Sequence, residues 1–162
     1  MIKGLHHNAY RCRNSEETRV FYEDFLGMEL AGALDFSDTH EGRKVKVLHT
    51  FYRLDDGSFL AFFEVPDVPF EFKDHMDFDL HIAVEVTPED LHRMFEQAKA
   101  EGRDIRGISD HHFVDSIYFR DPSGYVIELT AKREGHDEAL NPATNGARAI
   151  LDRWTAEANS LV

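Results

Sequence analysis

The sequence predicts an α+β fold in which one strand–helix–strands plan is used twice, with a separate helix at the end. Three observations predict it. Two amphipathic helices, one in each half, repeat the same spacing of apolar residues. Each is followed by two strand-like runs joined by a turn. The pattern then changes after residue 133. The expected domain covers 1–133, with modules at about 3–66 and 78–131, and 134–162 form a C-terminal helical extension.

The stretch LHHNAYRC reads as the first strand. Successive strand side chains point to opposite faces, so His6 and His7 are not expected to look into one cavity. In NSEETRVFYEDFLG, Asn14 or Ser15 can cap a helix, with Glu17 placed as in a capping box. Thr18, Phe21, Tyr22 and Phe25 fall on one helical face, and Gly27 ends it. VKVLHTFYRL, a turn at Asp55-Asp56-Gly57 and SFLAFFEV read as a hairpin, with a further turn at Glu41-Gly42-Arg43.

The connecting segment PDVPFEFKDHMDFD carries two prolines and several acids. DLHIAVEV then opens the second half. Thr87 caps a helix with Pro88 in its first position, and Leu91, Met94, Phe95 and Ala98 repeat the earlier spacing. Thr18 and Leu91 lie 73 residues apart, as do Phe21 and Met94. DSIYFRD, the turn Asp121-Pro122-Ser123-Gly124 and YVIELTA form the second hairpin. Finally, Asn145 can cap a helix presenting Ala147, Ile150, Leu151, Trp154 and Ala158 on one face, to cover the sheet or meet a second subunit.

Composition narrows the function classes. Lys and Arg number 18 against 31 Asp and Glu, a net charge of −13, which disfavours nucleic acid or an anionic membrane as partner. The single cysteine, Cys12, can form no disulfide within the chain, which suits a reducing cytoplasm. No apolar run is long enough to span a membrane, and the N-terminus lacks the order of a secretion signal. The cytoplasm is the expected location.

The repeat also chooses between the histidines. His7 to His81 is an offset of 74, close to the helix offset of 73, whereas His6 would need 75. Glu128, flanked by Ile127 and Leu129 in YVIELTA, is a carboxylate on a strand that looks buried, and it needs a partner. Two imidazoles and one carboxylate can occupy one face of an octahedral ion and leave positions for substrate. His7, His81 and Glu128 are therefore the candidate ligands of one divalent metal: Fe(II), Mn(II), Ni(II) or Zn(II).

These residues resemble the vicinal oxygen chelate superfamily, which includes glyoxalase I, extradiol dioxygenases, fosfomycin-resistance thiol transferases and metal-free bleomycin-binding proteins. The resemblance covers about residues 3–131 and is carried by GLHHNAYRCRN, FYEDFLGM, DLHIAVEV and SIYFRDPSGYVIELT. In the family's first motif the ligand His stands fourteen residues before a Phe-Tyr pair, which again selects His7 ahead of Phe21-Tyr22. The resemblance implies paired βαβββ modules whose mixed sheets curl into a cup around a metal. The cup is built within one chain or from two swapped chains, and a homodimer is expected.

HHFVDSIYFRDPSGYVIE is similar to the extradiol dioxygenase signature, departing from it at Ser109. The resemblance implies that Tyr118 hydrogen-bonds a catecholate and that His111 lies near the same pocket. Two departures bear on the activity. The acid–base His of extradiol enzymes would fall in DDGSFLAF, which offers Ser58 and Phe59 instead; His49 and His111 are the substitutes to consider. Glyoxalase I has a fourth ligand, a Glu late in the first half, and Glu64 lies near that place, although alignment by the turns puts Ala61 opposite Glu128.

The expected function is an Fe(II) extradiol-type dioxygenase acting on a small aromatic diol. Phe51, Phe59, Phe62, Phe63, Phe113 and Phe119 are candidates to line its pocket. The alternatives are a lyase, isomerase or thiol transferase of the same fold using Zn(II), Ni(II) or Mn(II), and a metal-free small-molecule binder.

Overall fold

A computed structural model describes residues 1–73 and 76–159. Residues 74 and 75 of the connecting segment lie outside the described residues, as does the side chain of Ala158. The chain divides into two compact units, Met1–His81 with Arg120–Ile127, and Ile82–Phe119 with Glu128–Val162.

Strand β1 (His7–Arg11) is followed by helix α1 (Ser15–Arg19), which continues as a π-helical stretch over Val20–Phe25. Strands β2 (Glu29–His40), β3 (Arg43–Arg53) and β4 (Phe59–Glu64) complete a sheet of order β1-β4-β3-β2. β1 runs parallel to β4, while β4–β3 and β3–β2 are antiparallel. The second half repeats this plan. β5 (His81–Glu85), α2 (Pro88–Ala100), β6 (Ile105–Asp110), β7 (Val114–Arg120) and β8 (Val126–Lys132) give the order β5-β8-β7-β6. Two mixed four-stranded βαβββ sheets are therefore present, followed by α3 (His136–Ala139) and α4 (Ala147–Asn159).

The predicted helical face of the first half is buried: Thr18, Phe21, Tyr22 and Phe25 all lose their solvent contact. Removing side chains such as Phe21 and Phe25 from water contributes roughly 1.5–3 kcal/mol each. Asn14 caps α1 by accepting the Glu17 N–H at 2.9 Å. The reciprocal half of the capping box is not made. The Glu17 carboxylate accepts instead from Arg13 Nε at 3.0 Å, because an exposed ion pair one turn away competes for it.

The Asp121–Gly124 turn is tied to α1 through one buried carboxylate. Asp121 Oδ1 accepts the N–H groups of Ser123 and Tyr125, both at 2.9 Å, and Oδ2 accepts the Tyr22 hydroxyl at 3.1 Å. Tyr22 is fully buried, so this bond satisfies a hydroxyl that would otherwise be stranded. Burial pushes the Asp121 carboxyl above its ordinary pKa, against the lowering effect of these donors.

In the second half Thr87 Oγ1 accepts the Asp90 N–H at 3.1 Å, with Pro88 in the first turn. Leu91, Met94 and Ala98 are buried on α2, and on β5 buried Ile82 and Val84 alternate with exposed His81, Ala83 and Glu85. Asn145 Oδ1 accepts the Ala147 N–H at 3.0 Å where α4 begins. The apolar face of α4 stays exposed, with Trp154 at 69%.

Candidate metal and substrate site

Glu128 sits in β8 with only 8% of its surface exposed, although it is a carboxylate among Ile127 and Leu129. Its Oε1 accepts the Tyr118 hydroxyl at 3.2 Å. That hydroxyl also lies 2.7 Å from His111 Nε2. The phenol has one hydrogen and gives it to the carboxylate, so His111 Nε2–H is the donor to the phenol oxygen. The second unit thus holds a hydrogen-bonded chain from an exposed imidazole through a phenol to a buried carboxylate. Burial first, and the Glu128 charge second, hold the Tyr118 phenol above its ordinary range.

Arg106 joins this group without having been singled out in the sequence. It pairs with Tyr118 across β6 and β7, and its guanidinium stands 4.6 Å from the Tyr118 ring centre. Cation–π attraction of this kind contributes about 0.5–1 kcal/mol at an exposed site. Beyond this pair the β6–β7 register shifts between Gly107 and Ser109. Gly107 has φ +119°, and a Cβ there would stand 2.6 Å from the Ser116 carbonyl oxygen. Only glycine admits that approach. No sequence signal marked Arg106, because its partner is set by cross-strand register.

His81 lies in β5, which neighbours β8 in the sheet order. Its Nδ1 is 3.0 Å from the Asp77 carbonyl oxygen. A carbonyl only accepts, so Nδ1 carries the hydrogen and Nε2 of the neutral ring carries the lone pair. This is the outer-partner arrangement of metal-ligating histidines.

His7 opens β1 and is exposed. Its Nδ1 lies 2.8 Å from His6 Nδ1, and the two rings are 5.1 Å apart. The expected separation of His6 and His7 onto opposite faces is therefore corrected. His6 stands just before β1, its carbonyl accepting the Phe59 N–H at 3.0 Å, and at this strand end its imidazole turns along the chain to meet that of His7. Around His7 lie the rings of His49 at 6.2 Å and Phe51 at 5.7 Å. Phe51, Phe59 and Phe63 are half-buried, and all three ring this His7–His49 group. Phe62 and Phe119, by contrast, are buried core residues, and Phe113 packs beside His136 instead. The pocket expected from six phenylalanines reduces to the three on the His7 side.

Two candidates have structural duties. Glu64 Oε2 accepts the Ser15 N–H at 2.7 Å, capping the start of α1. His49 is buried and stacked on Phe63 at 3.6 Å, and its Nδ1 donates to the Phe62 carbonyl at 3.0 Å.

The donor types of His7, His81 and Glu128 fit a borderline divalent ion, which takes imidazole nitrogens and a carboxylate oxygen. Among the described residues, no group of three or more His, Cys, Asp or Glu converges on a common point. His111, Tyr118 and Glu128 are brought together; His7 is held in the first sheet among His6, His49 and phenylalanines.

Two βαβββ sheets of identical strand order, each with its histidine on the first strand, define a vicinal oxygen chelate fold. Residues 4–129 match the Glyoxalase/Bleomycin resistance protein/Dioxygenase superfamily, and the chain belongs to it. It is 30% identical over 136 residues to a lactoylglutathione lyase of Neisseria meningitidis, covering 82% of this chain and 94% of that one. It is 27% identical over 149 residues to MhqA of Bacillus subtilis, described as a ring-cleaving dioxygenase; this covers 90% of the chain but only 45% of MhqA. Among solved structures, the fosfomycin resistance protein FosX of Listeria monocytogenes aligns with a TM-score of 0.64 at 21% identity, over 87% of this chain and 99% of its own. One FosX crystal contains Mn(II) and sulfate. Among the described residues no helix is long and apolar enough to cross a membrane.

Proposed function

We propose that this chain is a divalent-metal enzyme of the superfamily that opens the ring of a small aromatic diol with dioxygen, in the extradiol manner, using Fe(II) held by His7, His81 and Glu128. The observation that carries the reading is the His111–Tyr118–Glu128 chain, with contacts of 2.7 and 3.2 Å. A bound divalent ion would supply a Lewis-acid centre at which both diol oxygens can be gathered.

The chain's own residues then have distinct tasks. The Tyr118 hydroxyl donates toward the acidic side of the site and can turn to a substrate oxygen, steadying charge that develops there. His111, bonded to the same hydroxyl and reaching solvent, can pass a proton between the phenol and water. It supplies the acid–base group that DDGSFLAF lacks, and the carbonyl-bound, stacked His49 is the weaker substitute. Phe51, Phe59 and Phe63 offer apolar rings to an aromatic substrate. The reading includes a homodimer in the cytoplasm, with modules paired within one chain or between two.

A second reading has one observation in its favour. The lactoylglutathione lyases match along nearly their whole length, which supports a Lewis-acid lyase or isomerase using Zn(II), Ni(II) or Mn(II). The engagement of Glu64 with the Ser15 N–H weighs against it, because the fourth ligand of glyoxalase I would have to come from there.

The test is the metal content of protein purified without oxygen, followed by oxygen uptake with a panel of catechols. Stoichiometric iron and catechol-dependent uptake are expected. Stoichiometric zinc, nickel or manganese without uptake would replace this reading with the lyase. Failure to hold any ion after reconstitution would leave a small-molecule binder.

A further inference from the structure

The β6–β7 hairpin of the second unit closes on two aspartates. Asp110 and Asp115 stand directly opposite each other at the end of the ladder. Like charges so placed repel and push a hairpin end apart. The segment between them carries His111, whose Nε2 lies 2.7 Å from the Tyr118 hydroxyl, with the two rings edge-on. The turn is tight. The His111 N–H donates to the Val114 carbonyl at 3.0 Å, the Phe113 N–H donates to the His111 carbonyl at 2.9 Å, and His112 sits at φ +71°. A left-handed residue other than glycine persists only where its surroundings hold it.

One cation answers both aspartates. Arg133 follows the last residue of β8, and its Nη1 meets Asp110 Oδ2 at 2.5 Å and Asp115 Oδ1 at 3.5 Å. Its backbone N–H donates to the Phe113 carbonyl at 3.0 Å, so main chain and side chain grip the same turn. Asp110 Oδ1 accepts the His112 N–H at 2.6 Å, which ties the guanidinium through one carboxylate to the left-handed residue. The guanidinium first, and that N–H second, hold the Asp110 carboxyl below its ordinary range. Further along, the His136 N–H donates to the Arg133 carbonyl at 3.1 Å, and the His136 ring lies 5.9 Å from that of Phe113. The stretch leaving β8 is thereby packed on the turn that carries His111.

We infer that Arg133 is a positioning residue: by neutralising the opposed Asp110–Asp115 pair it keeps the turn closed, and so keeps the His111 imidazole on the Tyr118 hydroxyl. Its kinetic consequence rests on the proton path proposed above, whereas the placing of the ring does not. Exposed ion pairs are individually weak, so the expected effect on rate is about fivefold or less.

The test reads nuclear Overhauser contacts between the His111 and Tyr118 rings in the intact chain loaded with Zn(II), a diamagnetic ion. The contacts are expected in the wild type and in Arg133→Lys, whose ammonium restores a charge between the two carboxylates, and should weaken in Arg133→Gln. With catechol as substrate, Arg133→Gln should lower kcat by about two- to fivefold at unchanged KM and metal content. In a His111→Gln background the same change should have no further effect, because a residue that acts through His111 then has nothing to place. The inference is overturned if the wild type shows no contact between the rings, if Arg133→Gln keeps it at full strength, or if Arg133→Lys fails to restore it. It is also overturned if the His111 and Arg133 substitutions multiply in their effect on kcat. Ring contacts that respond as expected in a protein that takes up no oxygen with catechols would support the role of Arg133 and remove the dioxygenase reading.

Discussion

The two modules share a strand order and a helical face, yet they carry very different chemistry. On the first sheet His7 lies among His6, His49 and phenylalanine rings, and Ala61 occupies the place that the turn alignment matches to Glu128. On the second sheet a buried carboxylate, a phenol, an imidazole and a guanidinium are joined within a few ångströms. The comparison teaches that the repeated backbone is a scaffold, while acid–base capacity is concentrated in one copy of it. The bulges repeat the lesson. Each outer strand is irregular beside a glycine, at Leu30/Gly32 and at Gly107/Ser109, but only Gly107 has a backbone that excludes other residues.

The sharpest way to break the comparison is to remove the acid that distinguishes the modules. Glu128→Ala should reduce metal content to background, as should His81→Ala, with both proteins still folded by circular dichroism. Retained metal in either would remove it from the ligand set. Mixing His7→Ala and Glu128→Ala subunits should then separate the two module pairings. Recovery of activity on mixing means donors are contributed by both chains of a dimer, and no recovery means each chain builds its own site.

Next in size, Tyr118→Phe should lower kcat by about 10²-fold with metal content unchanged, since proton transfer by a placed side chain contributes roughly 10²–10⁴-fold. His111→Gln should lower kcat less and flatten its pH profile. An unchanged profile would take His111 out of the proton path. Gly107→Ala should cost roughly 2–4 kcal/mol in urea unfolding, through left-handed strain and collision with the Ser116 carbonyl. Gly32→Ala, which meets only Phe51 at an ordinary 3.7 Å, should change stability by much less. Equal costs would deny that the two bulges differ.

Smaller effects follow. His6→Ala should leave metal content nearly intact despite its contact with His7. For Asp121, burial raises the folded-state pKa, so its contribution to stability is full below the unfolded value of about 3.9 and is lost as pH rises through the folded one. Asp121→Asn keeps Oδ1 as acceptor and removes that titration. Its stability curve should be flatter than the wild type's over the acidic range, and parallel curves would mean that the carboxylate does not titrate differently on folding.

Much of the architecture is legible in residue spacing, because it arises from local periodicity. The Thr18–Phe25 and Leu91–Ala98 faces, the caps at Asn14, Thr87 and Asn145, and the turns at Gly57 and Gly124 all rest on interactions within a few residues. The site is less legible. Tyr118 and Glu128 lie ten residues apart on adjacent strands, and a motif marks them, but His111 reaches the phenol only because the chain before β7 turns back toward it. Glu17, Glu64 and His6 show that a residue near a motif position can be engaged elsewhere. Each sits where a motif could use it, and each side chain is taken by a neighbour that the motif does not include.

The sequence by itself determined the repeated strand–helix–strands plan, the choice of His7 over His6 as the counterpart of His81, and the place of a carboxylate, Glu128, between apolar residues on the last strand. These are matters of period and offset along one chain. Only the tertiary structure decided that Arg106 stacks on Tyr118, that Glu64 caps α1, and that Arg11 donates to the Val65 and Val68 carbonyls. Each of those outcomes depends on cross-strand register or on a backbone group tens of residues away. Long-range hydrogen bonds and ring contacts set them, and no local spacing encodes such partners.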